Sequence, residues 1–549
     1  MNGKRNNQED VVRGGNNKNR PSKGRKGSKK SWEKNTEKRG RMGRDNKQDS
    51  GGHVVGNYVH NDPSWYEPYP GANQDVAQLS FGNALGMPHN LGGIAAEVNA
   101  FPGIMVLPFT PVPGISVEGD RESPISTATN AFYTTVRYAQ GVAGNYDSSD
   151  LMCYPLVGDA CYTFWAYCRR LYGVVNAYSV SNRYLSRALV ESMGVDFENI
   201  RSNLYDFIGW LNDFAYQMGS LCMPDDFTAF KRHMRMCENI YVDGTTSKAQ
   251  MYVYVPKYLW AYDELANEEF GLLKATQVWT SSDTRRTFED LRNIGASIIN
   301  SIKHSSTMMN MAGDIKRAYG DGALMKIPYT EIGYTAPIIY DEEQVMEIQN
   351  TLIVGEPLNQ SSPTGAGYFG VKAMRGTNTL VFDPMMKKPL MVLSEHYLNI
   401  RNDAPTADQI MRATRCAVAY DTVRPAAAGG QAIYLLTCGT ELVHELRLYY
   451  YRTNPTDNML QLVNYQINSW AVQQGSVDEM TLHKLEKFDY HPYIYIFTPT
   501  DVSESYEFSD IAGDVDNVTW YGPEFLYKLN RYAVLGEYKS PQMGTFFKR

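Results

Sequence analysis

Apolar and polar positions divide the 549-residue chain into a front stretch with almost no apolar side chains and a long body with readable periodicity. Over residues 1–52 the sizeable apolar groups are Met1, Val11, Val12, Trp32 and Met42, set among Gly, Asn, Ser, Lys and Arg. Such a segment cannot offset the entropy of ordering itself, so it is expected to be disordered on its own. From Asn61 to Gly86 the character changes. Pro63, Pro68 and Pro70 argue against a regular helix, and Trp65, Tyr66 and Tyr69 supply apolar anchors. An extended, proline-stiffened strap is expected there, its aromatics docked on this subunit or on a neighbour's. The same extended character continues through Phe101–Gly119.

Helical spacing then takes over. Phe164, Tyr167, Leu171, Val174 and Val175, followed by Leu185, Leu189 and Met193, predict one or two helices within Tyr154–Gly194. Ile200, Leu204, Phe207, Ile208, Leu211, Phe214, Ala215 and Met218 trace one face of a helix over Asp196–Met218, opened by Asp196 and closed by Gly219. Pro224, Asp225 and Asp226 make a break. Thr284–Gly320 is predicted helical on Leu291, Ile294, Ile298, Ile299 and Ile302, and Thr406–Tyr420 is predicted helical too. Tyr252–Trp260, Ala432–Leu436, Leu442–Tyr451 and Tyr493–Thr498 read as strands, Gln461–Val472 fits either state, and residues 355–389 are loop-rich. The tail Glu524–Arg549 carries Phe525, Tyr527, Leu529, Tyr532, Leu535, Tyr538, Phe546 and Phe547 among its apolar side chains, and wants a docking surface. The expected fold class is mainly α with some β, an α+β body behind a disordered arm.

Charge sharpens the division. The first 47 residues hold 16 Lys and Arg against five Asp and Glu, about +11, out of 53 basic and 60 acidic residues in all. The remaining 502 residues therefore carry about −18. Val11–Lys30 has eight basic residues and no acid. A solvated tail, a nuclear localisation signal and a membrane-surface patch are competing readings, the last lacking an apolar helical face. The reading that uses the charge is polyanion binding without sequence readout, in which Lys and Arg neutralise phosphates and release counterions. The residues expected to do this are Arg13, Lys18, Arg20, Lys23, Arg25, Lys26, Lys29, Lys30, Lys38, Arg39, Arg41 and Arg44. The N-terminus has no apolar run behind its charges, which argues against a signal peptide, and no uncharged apolar stretch approaches the length of a membrane span. A soluble protein used inside a cell is expected.

Motifs for catalysis are missing their parts. Gly365-Ala-Gly367-Tyr-Phe-Gly370 matches GxGxxG, but NQSSPT before it is no buried strand and VKAMRGTN after it is no amphipathic helix, so Asp383 downstream has no ribose to hold. No GxxxxGK[ST] or GxSxG occurs, and His444-Glu445 lacks the second His of HExxH. Asp225-Asp226 and Glu342-Glu343 read as solvated caps. The nine His and seven Cys show no ligand spacing, so no metal and no cofactor is expected, and the cysteines read as small buried thiols of a reducing compartment. One covalent event is conceivable. Asn57 and Asn61, beside the Asp62-Pro63 bond, sit at the junction of arm and body, where an Asn amide attacking its own carbonyl would split the chain; plain turn residues are the competing reading.

The stretch NDPSWY followed by QLSFGNALG, within Asn61–Gly86, resembles the post-arm segment of picobirnavirus capsid proteins, and chain length and the basic N-terminus also fit. The resemblance implies a largely helical subunit with a shell part and a projecting part. It implies intertwined dimers tiling a small T=1 icosahedral shell around double-stranded RNA, and removal of an N-terminal peptide in some members. The implied partners are the chain itself, viral double-stranded RNA, the viral RNA polymerase inside the particle, and a host membrane or receptor at entry. Location would be the virion, assembled in the host cytoplasm.

The expected organisation is a disordered RNA-facing arm (1–52), an intersubunit strap (53–119) carrying Trp65, Tyr66 and Tyr69, a helical shell part (120–225), a projecting part (226–430) and a return to the shell (431–549). The function expected is a self-assembling coat protein rather than an enzyme. The rival is a non-structural or cellular RNA-binding protein acting as a monomer or small oligomer.

Overall fold

The computed structural model describes residues 70–79, 87–89, 99–101 and 103–539, apart from 141–145, 179–182, 247–248, 264–269, 281–283, 422–423, 425–431, 454–455, 457–458 and 501–504. Two compact units divide the chain, Met1–Gly82 and Asn83–Arg549. The described part of the first holds helix α1, Pro70–Ala77. This corrects the extended reading of the strap at that point. Pro70 opens the helix, where its fixed φ suits the first turn and its missing N–H has no partner to lose.

In the second unit the helices in chain order are α2 (Pro124–Gln140), α3 (Ser148–Asn176), α4 (Arg183–Ser192), α5 (Phe197–Ser202), α6 (Leu204–Met218) and α7 (Thr228–Glu238). They are followed by α8 (Phe288–Lys303), α9 (Ser306–Tyr319), α10 (Glu342–Gln349), α11 (Ala407–Ala413), α12 (Glu479–Leu485) and α13 (Pro523–Glu537). With 21 strands, mostly short, the described residues form an α+β fold, as the sequence predicts.

Helix α3 is the axis of the core. Nearly all of its 29 residues are buried, so it has no solvent face, and the polar groups it carries inward, such as Asp159 and Arg170, must find partners there. It is packed by α2, α6, α7 and α8 and by the strand Tyr258–Asp263. Small residues admit these neighbours. A Cβ on Gly173 would fall 2.5 Å from the backbone nitrogen of Ala336, and one on Gly295 of α8 would meet Phe164 at 2.8 Å. Each large side chain buried here contributes roughly 1.5–3 kcal/mol. The helix starts six residues before the predicted Tyr154 and runs through Pro155, because tertiary burial outweighs the one backbone bond that proline removes.

Local signals set the breaks that periodicity missed. The helix predicted over Asp196–Met218 divides at Asn203; Asp196 caps the first piece by accepting from Asn199 N at 3.0 Å. The long one over Thr284–Gly320 divides at His304–Ser305, with a Thr287–Asp290 capping box at the first start and the Ser305 hydroxyl accepting from Met308 N at the second. Gly320, at φ 69°, ends it. Of Thr406–Tyr420 only Ala407–Ala413 is helical, since Ala419–Tyr420 is drawn into a sheet beside Ala432–Thr437. Gln461–Val472 resolves into the ends of two strands, Leu460–Ile467 and Ala471–Gln473.

The principal sheet has seven strands. Its path runs Leu460–Ile467, Leu446–Thr453, Ile104–Pro111, Met251–Pro256, Ile240–Val242 and Ile338–Ile339, and Glu441–Val443 also pairs with Ile104–Pro111. Ile104–Pro111 is buried along its whole length, which its run IMVLPFTP, apolar but for Thr110, fits. Pro108 inside it is tolerated because the antiparallel partner is interrupted opposite, at His444–Glu445; its carbonyl still accepts from His444 N at 2.9 Å. At the far end of the chain, α13 packs on α2 and on strand Ala432–Thr437, bringing residues 523–537 back to the start of the body.

Candidate functional site, a buried charge hub and exposed aromatic faces

Helix α7 carries Ala229, Phe230, His233, Met236 and Cys237 on its buried face. That places His233 against α3 and the principal sheet, and Arg232 one residue away at the edge. His233 Nδ1 lies 2.7 Å from Asp159 Oδ2 and Nε2 lies 3.1 Å from Glu441 Oε1, so both ring nitrogens donate and the ring is an imidazolium. Burial alone would lower its pKa. The charge and hydrogen bond of Asp159, joined by Glu441, raise it to about 10 instead.

Arg232 donates to Glu441 through Nε at 2.5 Å and grips Glu347 of α10 with both terminal nitrogens at 2.6 and 3.1 Å. Arg415 reaches Glu537 of α13 at 2.5 Å and the Thr440 hydroxyl at 2.8 Å. Burial would raise the Glu441 carboxyl, but Arg232 and Arg415 hold it well below the usual carboxylate range. One connected set of charges thus ties α3, α7, α10, α13 and the sheet. Its members are far apart in sequence, Asp159 and Glu537 at the extremes.

A second cluster lies along the same sheet. Lys257 bridges Glu356 and Glu445, the latter at 3.1 Å, and Glu445 also accepts from Arg447 Nε at 3.2 Å. His444 beside it is neutral: Nδ1 donates to Gly355 O at 2.9 Å and Nε2 accepts from Thr110 Oγ1 at 2.8 Å. Burial, helped by the Lys257 charge, lowers its pKa to about 3. Neither cluster opens a nucleophile or an acid–base pair to solvent. Among the described residues no group of His, Cys, Asp and Glu has the makings of a metal site.

GxGxxG is a loop feeding a strand. Gly367 has φ 63°, Gly370 opens strand Gly370–Met374, and Asp383 is clamped by Arg424 at 2.7 and 2.9 Å. The pyrophosphate geometry, strand into helix, runs the other way. Asp225 pairs with Lys231 at 2.9 Å, and Glu342 and Glu343 stand in the first turn of α10. All seven cysteines are free thiols.

The surface carries large aromatics. Tyr205 and Tyr216 on α6 are 83% and 71% exposed; Tyr329 and Ile332, on the loop after α9, are 62% and 70% exposed. That loop is pinned. Asn212 and Thr330 exchange two hydrogen bonds at 2.7 and 3.1 Å, and Tyr172 OH and Asn176 both donate to Ile332 O. Its backbone is satisfied while its apolar side chains face outward. Further exposed aromatics are Phe525 and Tyr532 on α13, and Phe508 and Trp520 near the C-terminal strands. No described helix is long and apolar enough to cross a membrane.

The twelve basic arm residues named above, the strap aromatics Trp65, Tyr66 and Tyr69, and Asn57 and Asn61 all lie outside the described residues. The hub was missed by sequence reading. The available signal was His233 standing on the apolar stripe of α7, and its partners, 74 and 208 positions away, had no local mark.

A family profile described as Picobirnavirus capsid protein matches residues 65–486. A "Capsid protein precursor" of Human picobirnavirus is 26% identical over 517 residues, covering 88% of this chain and 92% of that protein. The fold is similar to a crystal structure of the picobirnavirus capsid, at TM-score 0.75 and 21% identity, covering 88% of this chain and 99% of that one. With most of its length matched by that family profile, the chain belongs to the picobirnavirus capsid protein family.

Proposed function

We propose that this capsid protein pairs as twofold dimers, which close into a T=1 icosahedral shell around double-stranded RNA in the host cytoplasm. The observation that carries the assembly reading is the pinned face of Tyr205, Tyr216, Tyr329 and Ile332, apolar surface held rigid with its backbone already satisfied. A preorganised face of this kind loses little entropy on docking. Trp65, Tyr66 and Tyr69 act as an intersubunit strap. The shell is built from residues 120–225 and 431–549, with 226–430 projecting; the packing of α13 on α2 supports the return.

The arm, about +11, contacts RNA backbone without reading sequence. A-form duplex hides its base edges in a deep groove, so a phosphate-neutralising arm suits it. The viral polymerase is enclosed with the genome, and a host membrane or receptor meets the projecting surface. The relative's description as a precursor supports removal of an N-terminal peptide near Asn57 or Asn61.

The test is to change the twelve basic arm residues named above, those of 13–44 other than Lys34, to Gln in the full chain and measure RNA per particle. Shells with RNA reduced at least several-fold are expected, and wild-type RNA binding should fall steeply from low to physiological salt. Shells of the variant with a normal RNA load would reject the arm as the packaging element.

A further inference from the structure

Beside the hub, between α7, α10 and α11, opens a cavity of about 520 Å³, within the range that holds small ligands. Helix α7 turns one polar face to it, with Thr228, Lys231, Arg232 and Arg235 at positions i, i+3, i+4 and i+7, and Arg412 of α11 reaches in as well. Two carboxylates, Glu343 and Glu347, share the lining. Four cations against two acids is unusual on a body that carries about −18.

The cations differ in how firmly they are held. Arg232 is the back wall, fixed by Glu347 and Glu441. Lys231, Arg235 and Arg412 are the rim, with side chains 52%, 56% and 47% exposed. Lys231 pairs with Asp225 at 2.9 Å and Arg235 with Asp341 at 3.1 Å; Arg412 pairs with Glu343 and, at 2.8 Å, with Asp408. Pairs this exposed contribute little and exchange readily. An anion with several oxygens outcompetes them, because each guanidinium grips a phosphate through two parallel N–H bonds.

We propose that this cavity binds an array of two or three adjacent phosphates, with Arg235 and Arg412 as forks, Lys231 as a point charge and the Thr228 hydroxyl as a neutral donor. A single carboxylate or phosphate would leave most of the volume empty. The array comes either from an RNA strand backbone or from a free oligophosphate such as a nucleoside triphosphate. The site belongs to the body and does not depend on the arm.

Because the arm also attracts anions, the readout must be local. Hydrogen exchange of the full-length protein is followed at α7 and α11 with sodium tripolyphosphate, in wild type and in R235Q/R412Q. Slower exchange at both helices is expected in wild type and no change in the variant. K231Q, one half-exposed side chain altered, should bind tripolyphosphate about tenfold more weakly, the effect of one lost charge-assisted contact. Repeating the experiment with ATP and with a short RNA duplex separates the sources, protection by either one alone naming it. No protection in wild type by any of the three probes, or equal protection in R235Q/R412Q, overturns the proposal. Neutralising the arm tests the packaging reading separately and leaves this result unaffected.

Discussion

Replacing His233 by Gln removes the one cation among the described residues that touches both Asp159 and Glu441. Gln keeps a neutral donor but no charge, so buried Asp159 loses the cation bonded to it, while Glu441 keeps Arg232 and Arg415. Breaking a buried ion pair from one side costs about 3–5 kcal/mol. The raised pKa gives an independent value. From 6.5 to about 10 is roughly 3.5 units, or ~5 kcal/mol at 1.36 kcal/mol per unit. The sign follows from linkage. The folded pKa lies above the unfolded one, so the imidazolium stabilises fully below about pH 6.5, and that stability is lost as pH rises through about 10. Between pH 6 and pH 9 wild type should lose about 3 kcal/mol from this group. Urea unfolding of both proteins at several pH values reads the effect, since other titrating groups are common to both and drop out of the difference. The gap is expected to be about 4–5 kcal/mol at pH 6 and about 1–2 kcal/mol at pH 9. A gap that stays constant with pH would refute the charged, doubly bonded histidine.

Two further outcomes follow from burial. Cys222 is the one cysteine not fully buried; burial raises the pKa of all seven thiols, so access decides, and a disulfide reagent at pH 8 should label about one thiol first and the rest only on unfolding; two or more fast thiols would contradict the packing around α3. Tyr205→Ser with Ile332→Ser should leave folding stability within about 0.5 kcal/mol, as for exposed positions generally, and cut shell yield several-fold. Unchanged yield would remove this face from assembly.

What the sequence disclosed depended on the range of the signal. The stripe of α8, Leu291, Ile298, Ile299 and Ile302, is local, and it was legible. Caps were legible where a side chain does the work, as at Asp196, and illegible at Asn203, where the chain turns without a side-chain cap. Helix α3 was placed six residues late because its predicted stripe began only at Phe164, and a helix buried by five neighbouring elements shows no polar face to mark its first turns. The hub was illegible because it is made of tertiary contacts. His233, Glu347, Glu441 and Glu537 each look ordinary in their own segments. The cavity was illegible for the same reason, since Arg412 meets α7 only after folding. The arm was the opposite case: its charge is pure composition, and it was read without any structure.

On the function proposed above, this chain is a building block which closes into a shell. Electron microscopy of the purified full-length protein, with light scattering on the same sample, tests it most directly. Uniform closed particles of one mass, with RNA inside, are the predicted result. A monodisperse monomer that persists at high protein concentration and physiological salt would contradict it.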